Sequence, residues 1–455
     1  MTSNDRVIVA GSDSHVSPPL VDLRPYCRKQ YLDDFDAYLA VWEEETRQTN
    51  ELIRQLSEDG TQLPQGIRSL KNGMSMGGHG DPHVRLEDFD REGVAAEVIF
   101  HGTQGDTRGG MHASHPMPWS LSDRSLVAKP GDSTLSVELA TEGRRIFNRW
   151  MADFVSVQPE RHAALAYIPT WDIDAAVEEL HWANEHGLRG VNFPSPGASF
   201  GGLTLDTIST GYPPFEDPYW APLFDTAAEL NMPLTTHVGH PMLPPYYNGP
   251  GAFAITVFEQ MQLSGRSMWH LLFSGCFDRH PNLKIVTTEV LGPWWVNVVE
   301  EMASTYEGTG VGPSEMLRAA IKRHPNEYVK ENCYFGTSFM SRPEAQYAID
   351  MDLTDRVIWG SDYPHYESTW HPDPDAYPVT KLSLANTFHD MEEDQVRDMV
   401  GRNMIECYGL SEPALAEVAD RIGPTITELL TEPDLSLLSP DYIGKGFRDK
   451  GHQHT

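Results

Sequence analysis

Two rhythms alternate along this chain. Short apolar runs recur, and each stops at polar or Gly/Pro-rich residues. The run 7–10 stops at Gly11-Ser12-Asp13-Ser14-His15, 95–100 at His101-Gly102-Thr103, 164–168 at Pro169-Thr170, and 190–193 at Pro194. Further on, 233–236 stops at His237-Val238-Gly239-His240, 284–288 at Glu289, and 356–360 at Ser361-Asp362-Tyr363-Pro364, while 333–336 is a weaker run. Bounded runs of this length predict eight buried strands. Between them apolar residues repeat at helical spacing over 173–183, with Asp172 placed as N-cap, and again over 219–230 and 383–400.

Strands alternating with helices predict a parallel α/β fold. From alternation alone a doubly wound open sheet stays possible. Five of the eight strand ends carry an ionisable residue, the pattern of the C-terminal face of a (β/α)8 TIM barrel, which is therefore the expected fold. The barrel is expected to occupy 1–410, with insertions at about 20–84 and 104–140 and an extension over 411–455. The first insertion follows the first strand and reads as a charged helix (33–56) and then a glycine-rich stretch (73–80). The second is rich in Gly, His, Pro and Ser, as lid or binding loops are.

Composition narrows the partners. Of 455 residues, 66 are acidic and 34 are Lys or Arg, a formal charge of −32, so phosphate backbones and anionic lipid surfaces are poor partners. A 40% hydrophobic content is enough for a large core. Cys27, Cys276, Cys333 and Cys407 lie far apart, without a CxxC pair, and fit a reducing interior. The first residues lack a basic stretch followed by an apolar one, and no run is apolar enough to span a membrane. A cytoplasmic protein is expected.

The candidate chemistry sits at the strand ends. Asp13 and His15 are two residues apart and can face the same way; alone they are a turn residue and a surface histidine. Adding His237, His240, Glu289 and Asp362 gives a set of N and O donors suited to zinc, manganese or iron. His240 lies past its strand, either at a second metal or as a lid histidine orienting a ligand. His101 faces the pocket or bonds its adjoining loop. Trp294-Trp295 reads as pocket wall or packing, and Arg189 and Arg279 as carboxylate binders or loop anchors. His79, His83, His112 and His115 read as solvated. Gly77-Gly78-His79-Gly80-Asp81 reads as a flexible loop rather than a phosphate cradle.

These residues carry a resemblance. Ser12-Asp13-Ser14-His15, the block 85–94 (RLEDFDREGV), Asn148-Arg149-Trp150, Pro159-Glu160-Arg161 and Gly187-Leu188-Arg189-Gly190-Val191 belong to it. So do the block 275–284 (GCFDRHPNLK), Gly360-Ser361-Asp362-Tyr363-Pro364-His365 and Gly401-Arg402-Asn403. Over nearly its whole length the chain resembles the amidohydrolase superfamily, in the amidohydrolase-2 branch that includes aminocarboxymuconate- and resorcylate-type decarboxylases. The resemblance implies a metal-dependent (β/α)8 barrel. It places the first-strand HxH or ExH pair on Asp13 and His15, the fifth-strand histidine on His237 and the eighth-strand aspartate on Asp362. The sixth-strand histidine of the decarboxylases falls on or beside Glu289. An aspartate for the first histidine and a glutamate for the sixth-strand one depart from the decarboxylase pattern.

Both departures add negative charge. Three carboxylates and two or three histidines can hold two divalent ions, and the pattern is similar to the superfamily's few dinuclear non-heme iron oxygenases. The resemblance thus implies two ions, iron and/or manganese, and a monooxygenase hydroxylating a carboxylate-derived substrate with O2, with Asp362, Glu289 and His240 as catalytic residues. The alternative is a hydrolase or decarboxylase with one zinc, or manganese, in which Asp362 acts as general base. The expected partners are a small-molecule substrate and either a second copy of this chain or a related subunit.

Overall fold

A computed structural model describes residues 5–60, 77–102, 137–193, 213–237, 265–308 and 318–448, with a few short pieces between them. Eight parallel strands follow one another in chain order: β1 (Ala10–Gly11), β2 (Ala96–His101), β3 (His162–Ala166), β4 (Gly190–Asn192), β5 (Leu234–His237), β6 (Ile285–Thr288), β7 (Cys333–Ser338) and β8 (Val357–Gly360). Each pairs in parallel with the next. A short continuation of β1, His15–Val16, pairs with the end of β2. The ring closes between first and last strands: Ser12 N donates to Trp359 O (2.8 Å), Asp362 N to Asp13 O (3.0 Å) and His15 N to Tyr363 O (2.7 Å). This is the expected (β/α)8 barrel, and the stretch that closes it carries Asp13, His15 and Asp362.

The strands are buried on both faces because a barrel strand meets side chains inside and helices outside. Val9, Ile99, Ala164, Val191, Leu234, Ile285, Phe335 and Val357 all lie in one buried core. The 173–183 periodicity emerges as the helix Ile173–Glu185, and Asp172 accepts Ala175 N–H (3.1 Å) at its start. The 383–400 periodicity is broken instead. One helix is Val379–Phe388, and a second begins at Glu393 after Asp390, whose φ of 62° no helix accommodates. The 7–10 run pairs as a strand only at its end, since Val7 N–H is taken by Pro424 O (2.9 Å).

The charged insertion forms the helix Leu32–Glu58. Most of the 104–140 loop lies outside the described residues, together with His112 and His115. Gly77-Gly78-His79-Gly80-Asp81, expected as a flexible loop, instead makes one turn and caps the helix Pro82–Glu92, with Asp81 accepting His83 N–H (2.8 Å). His79 is buried, not solvated: Ser17 N–H holds its carbonyl (2.9 Å) and Arg85 holds that of Gly78 (3.0 Å), drawing the loop inward. His83 is exposed as expected. All four cysteines are buried thiols. Among the described residues no helix is long and apolar enough to cross a membrane.

Candidate metal centre

Asp13 and His15 follow β1, His237 ends β5, Glu289 follows β6 and Asp362 follows β8. Parallel strands all end at one rim, so residues up to 349 positions apart meet there. Asp13 Oδ1 lies 3.3 Å from His15 Nε2 and 3.3 Å from His237 Nε2. His15 Nε2 is also 3.3 Å from Asp362 Oδ1, and His237 Nε2 is 3.8 Å from Glu289 Oε2. Two further side chains complete the group. His365 Nδ1 stands 2.8 Å from Asp362 Oδ1, its ring stacked on that of His15 at 4.1 Å between centroids. Glu367 joins Glu289 and Asp362, with one oxygen of each within 4.8 Å of the others. The same closeness unites Asp13, His15 and His237, and His15, Asp362 and His365.

The backbone is bent to present these groups. Glu289 (φ 60°) and Asp362 (φ 61°) both occupy the left-handed region, which costs a non-glycine residue about 1–3 kcal/mol and persists only where surroundings impose it. Here Val290 N–H donates to Gly336 O (3.1 Å) and Asp362 N–H to Asp13 O (3.0 Å). The turn after the strand is thereby fixed and the carboxylate is aimed into the barrel mouth. Asp13 is oriented by Ser338 Oγ, which donates to its Oδ2 and leaves Oδ1 toward the histidines.

The electrostatics of the group are those of crowded, buried carboxylates and histidines, a setting that suits a cation. Burial disfavours the Asp13 charge, yet His237 and His15 hold it well below the usual carboxylate range. Burial likewise opposes a charged His15, but Asp13 and Asp362 prevail and lift it to about 10. Glu289 is pushed well up, by burial first and then by Asp362 and Asp13. Asp13 Oδ1, both ring nitrogens of His15 and both oxygens of Asp362 are buried without a hydrogen bond among the described residues. Buried polar atoms without partners cost about 1–3 kcal/mol each and call for a missing ligand. The donors are nitrogen and oxygen only, a set that fits a divalent zinc, manganese or iron ion.

His240, proposed as a sixth donor, lies outside the described residues. His101 Nδ1 is 2.7 Å from Tyr167 Oη, which also accepts from Asn192 Nδ2. Arg279 anchors loops through Ser274 O and Phe215 O, and Trp295 is packing, stacked on Phe335 at 4.9 Å. Sequence reasoning overlooked His365, which stands in the quoted 360–365 block. It also overlooked Glu367 and Ser338, for which the sequence holds no signal.

The amidohydrolase family model matches residues 110–410, well over half of the chain. The gamma-resorcylate decarboxylase of Polaromonas sp. is 26% identical over 254 residues, covering 54% of this chain and 73% of its own. Among solved structures, the 5-carboxyvanillate decarboxylase of Sphingomonas paucimobilis superposes with a TM-score of 0.51 at 18% identity, covering 89% of this chain and all of that one. The manganese-bound 5-carboxyvanillate decarboxylase of Novosphingobium aromaticivorans gives 0.55 at 15%, covering 90% and 99%. At such identity the structures speak to the fold alone, the same barrel. With that barrel in place and the family match running from the 104–140 insertion through β8 to residue 410, this chain belongs to the amidohydrolase family.

Proposed function

We propose that this chain is a metal-dependent decarboxylase of a small carboxylated substrate, of the hydroxylated aromatic class that its relatives' names indicate. The observation that carries the reading is the convergence of Asp13, His15, His237 and Asp362 at one barrel rim, where donor atoms of Asp13, His15 and Asp362 are buried without hydrogen bonds among the described residues. These four residues would hold a divalent ion, which supplies Lewis-acid polarisation of substrate oxygens. The decarboxylase reading takes precedence over the oxygenase that the acidic donor set suggests, because the related enzymes named above are decarboxylases.

The chain's own residues supply the rest. Ser338 holds Asp13 in register, and His365 packs face to face on His15 and fixes its ring. Glu289 stands where the decarboxylase pattern has histidine. A carboxyl group held protonated beside other carboxylates can donate a proton, and Glu289 Oε would give it to the carbon that loses CO2. Glu289 thus restores an acid at this position by burial rather than by imidazole chemistry.

One observation favours a second reading. Asp13–His15–His237 and Glu289–Asp362–Glu367 are disjoint donor trios, enough for two ions and hence for the dinuclear oxygenase. Metal analysis of protein purified without added metal, followed by an assay in the absence of air, separates the two. About one manganese or zinc per chain with oxygen-independent CO2 release supports the decarboxylase. About two iron ions, or one iron and one manganese, with turnover that consumes O2 overturns it in favour of the oxygenase.

A further inference from the structure

Beyond residue 410, where the family match ends, the chain passes through the helices Glu412–Ile422 and Ile426–Leu430 and returns to the mouth of the barrel. There residues 441–448 fasten onto the loop that follows β8. Tyr442 Oη donates to Ser368 O (2.8 Å) and accepts Gly446 N–H (3.0 Å). Ser383 Oγ donates to Gly446 O (2.7 Å), and Lys445 N–H to Glu367 O (2.7 Å). Buried Arg448 anchors the end of the segment on Glu344, whose carboxylate also accepts from Gly292 N–H and Ser341 N–H.

The sequence of this turn is Gly444-Lys445-Gly446. A Cβ at Gly444 would lie 2.3 Å from Ser368 O, and one at Gly446 2.9 Å from Tyr442 Oη. Glycine at 444 is thus required for the approach, a side chain at 446 would displace the Tyr442 hydroxyl, and the side chain presented between them is Lys445. Its Nζ lies over the Phe339 ring, 5.5 Å from the centroid. Phe339 follows Ser338, the donor to Asp13, and Glu367, which the Lys445 backbone grips, belongs to the acidic trio with Glu289 and Asp362.

We propose that Lys445 is a substrate-binding residue whose ammonium group takes the carboxylate of the substrate at the mouth of the metal pocket. The inference rests on the decarboxylase reading, which requires an anionic substrate. Even with Glu289 protonated, Asp13, Asp362 and Glu367 carry more negative charge than one divalent ion offsets, so an incoming carboxylate needs a further cation. Arg85 and Arg448 are each closed on a buried carboxylate, Glu97 and Glu344. The extension thereby supplies a specificity element that the barrel strands lack.

The test uses the full-length, manganese-loaded protein with Lys445→Met and Lys445→Arg variants. Binding of benzoate and 2,6-dihydroxybenzoate is measured by calorimetry beside the corresponding uncharged amides. Loss of a charge-assisted contact weakens binding of the acids to Lys445→Met about tenfold to a hundredfold, and Lys445→Arg recovers most of it. Amide binding, manganese content and Tm stay at parent values. Equal acid binding by the parent and Lys445→Met overturns the role of Lys445 and leaves the decarboxylase reading standing. A parent protein that binds neither acid overturns both.

Discussion

Two buried polar clusters meet at the segment Asp13-Ser14-His15, and they are built to opposite rules. Behind the strand ends, Arg85 donates through Nε to Glu97 Oε1 (2.7 Å), through Nη2 to Oε2, and through Nη1 to His15 O (2.8 Å). Ser14 Oγ and His162 Nδ1 complete the Glu97 carboxylate at 2.5 and 2.9 Å. Arg85 prevails over burial, and Glu97 is held down to about 2. In front, the carboxylates of Asp13, Glu289 and Asp362 crowd one another, with no arginine among their partners in the described residues. A cluster that satisfies itself stabilises the fold; one that leaves buried donors open stores energy for a ligand.

The largest test of that contrast is Asp362→Asn. It should abolish bound metal and cut turnover by about a thousandfold or more, while the Tm of the metal-free protein stays level or rises, because like charges are relieved. Metal analysis and calorimetry check both parts; a metal-free protein several degrees less stable would mean that the front cluster serves the fold. Next comes Arg85→Met, which strands Glu97 in the interior and should cost about 3–5 kcal/mol in denaturant unfolding. Intact stability in that variant would dissolve the distinction between the clusters.

Glu92 offers a pH test away from both clusters. Burial outweighs its bond from Thr380 N–H and pushes it up to about 7. Its folded value lies above its unfolded one, so the folded protein retains the proton longer, and stability falls as pH rises from about 4.5 to about 7. The full swing is about 3 kcal/mol. Glu92→Gln should flatten that stretch of the stability–pH curve, and a parent-like slope would assign the dependence elsewhere. Smallest is Ser338→Ala: losing the bond that aims Asp13 should weaken metal affinity about tenfold, read by competition with a chelator, with little change in Tm.

Much of this was legible in the chain. All eight strands stand near their apolar runs, and Asp13, His15, His237, Glu289 and Asp362 were singled out because ionisable residues that stop such runs must reach one rim of a barrel. The acidic donor set suggested an oxygenase, whereas the related proteins are decarboxylases; donor composition reflects charge and softness, which both chemistries share. His365 stood unused inside a quoted block. Its stacking on His15 depends on how the loop after β8 folds back, which no periodicity encodes.

The sequence by itself determined the barrel and the ends of its strands, because hydrophobic period and chain order act locally and parallel strands with intervening helices close in few ways. Tertiary structure alone decided that Ser338 aims Asp13, that Glu289 and Asp362 sit on left-handed backbone, and that Lys445 arrives at the mouth from a tail more than eighty residues beyond β8. Each of these depends on contacts between distant segments, where burial and electrostatic fields are set by neighbours in space and not by neighbours in the chain.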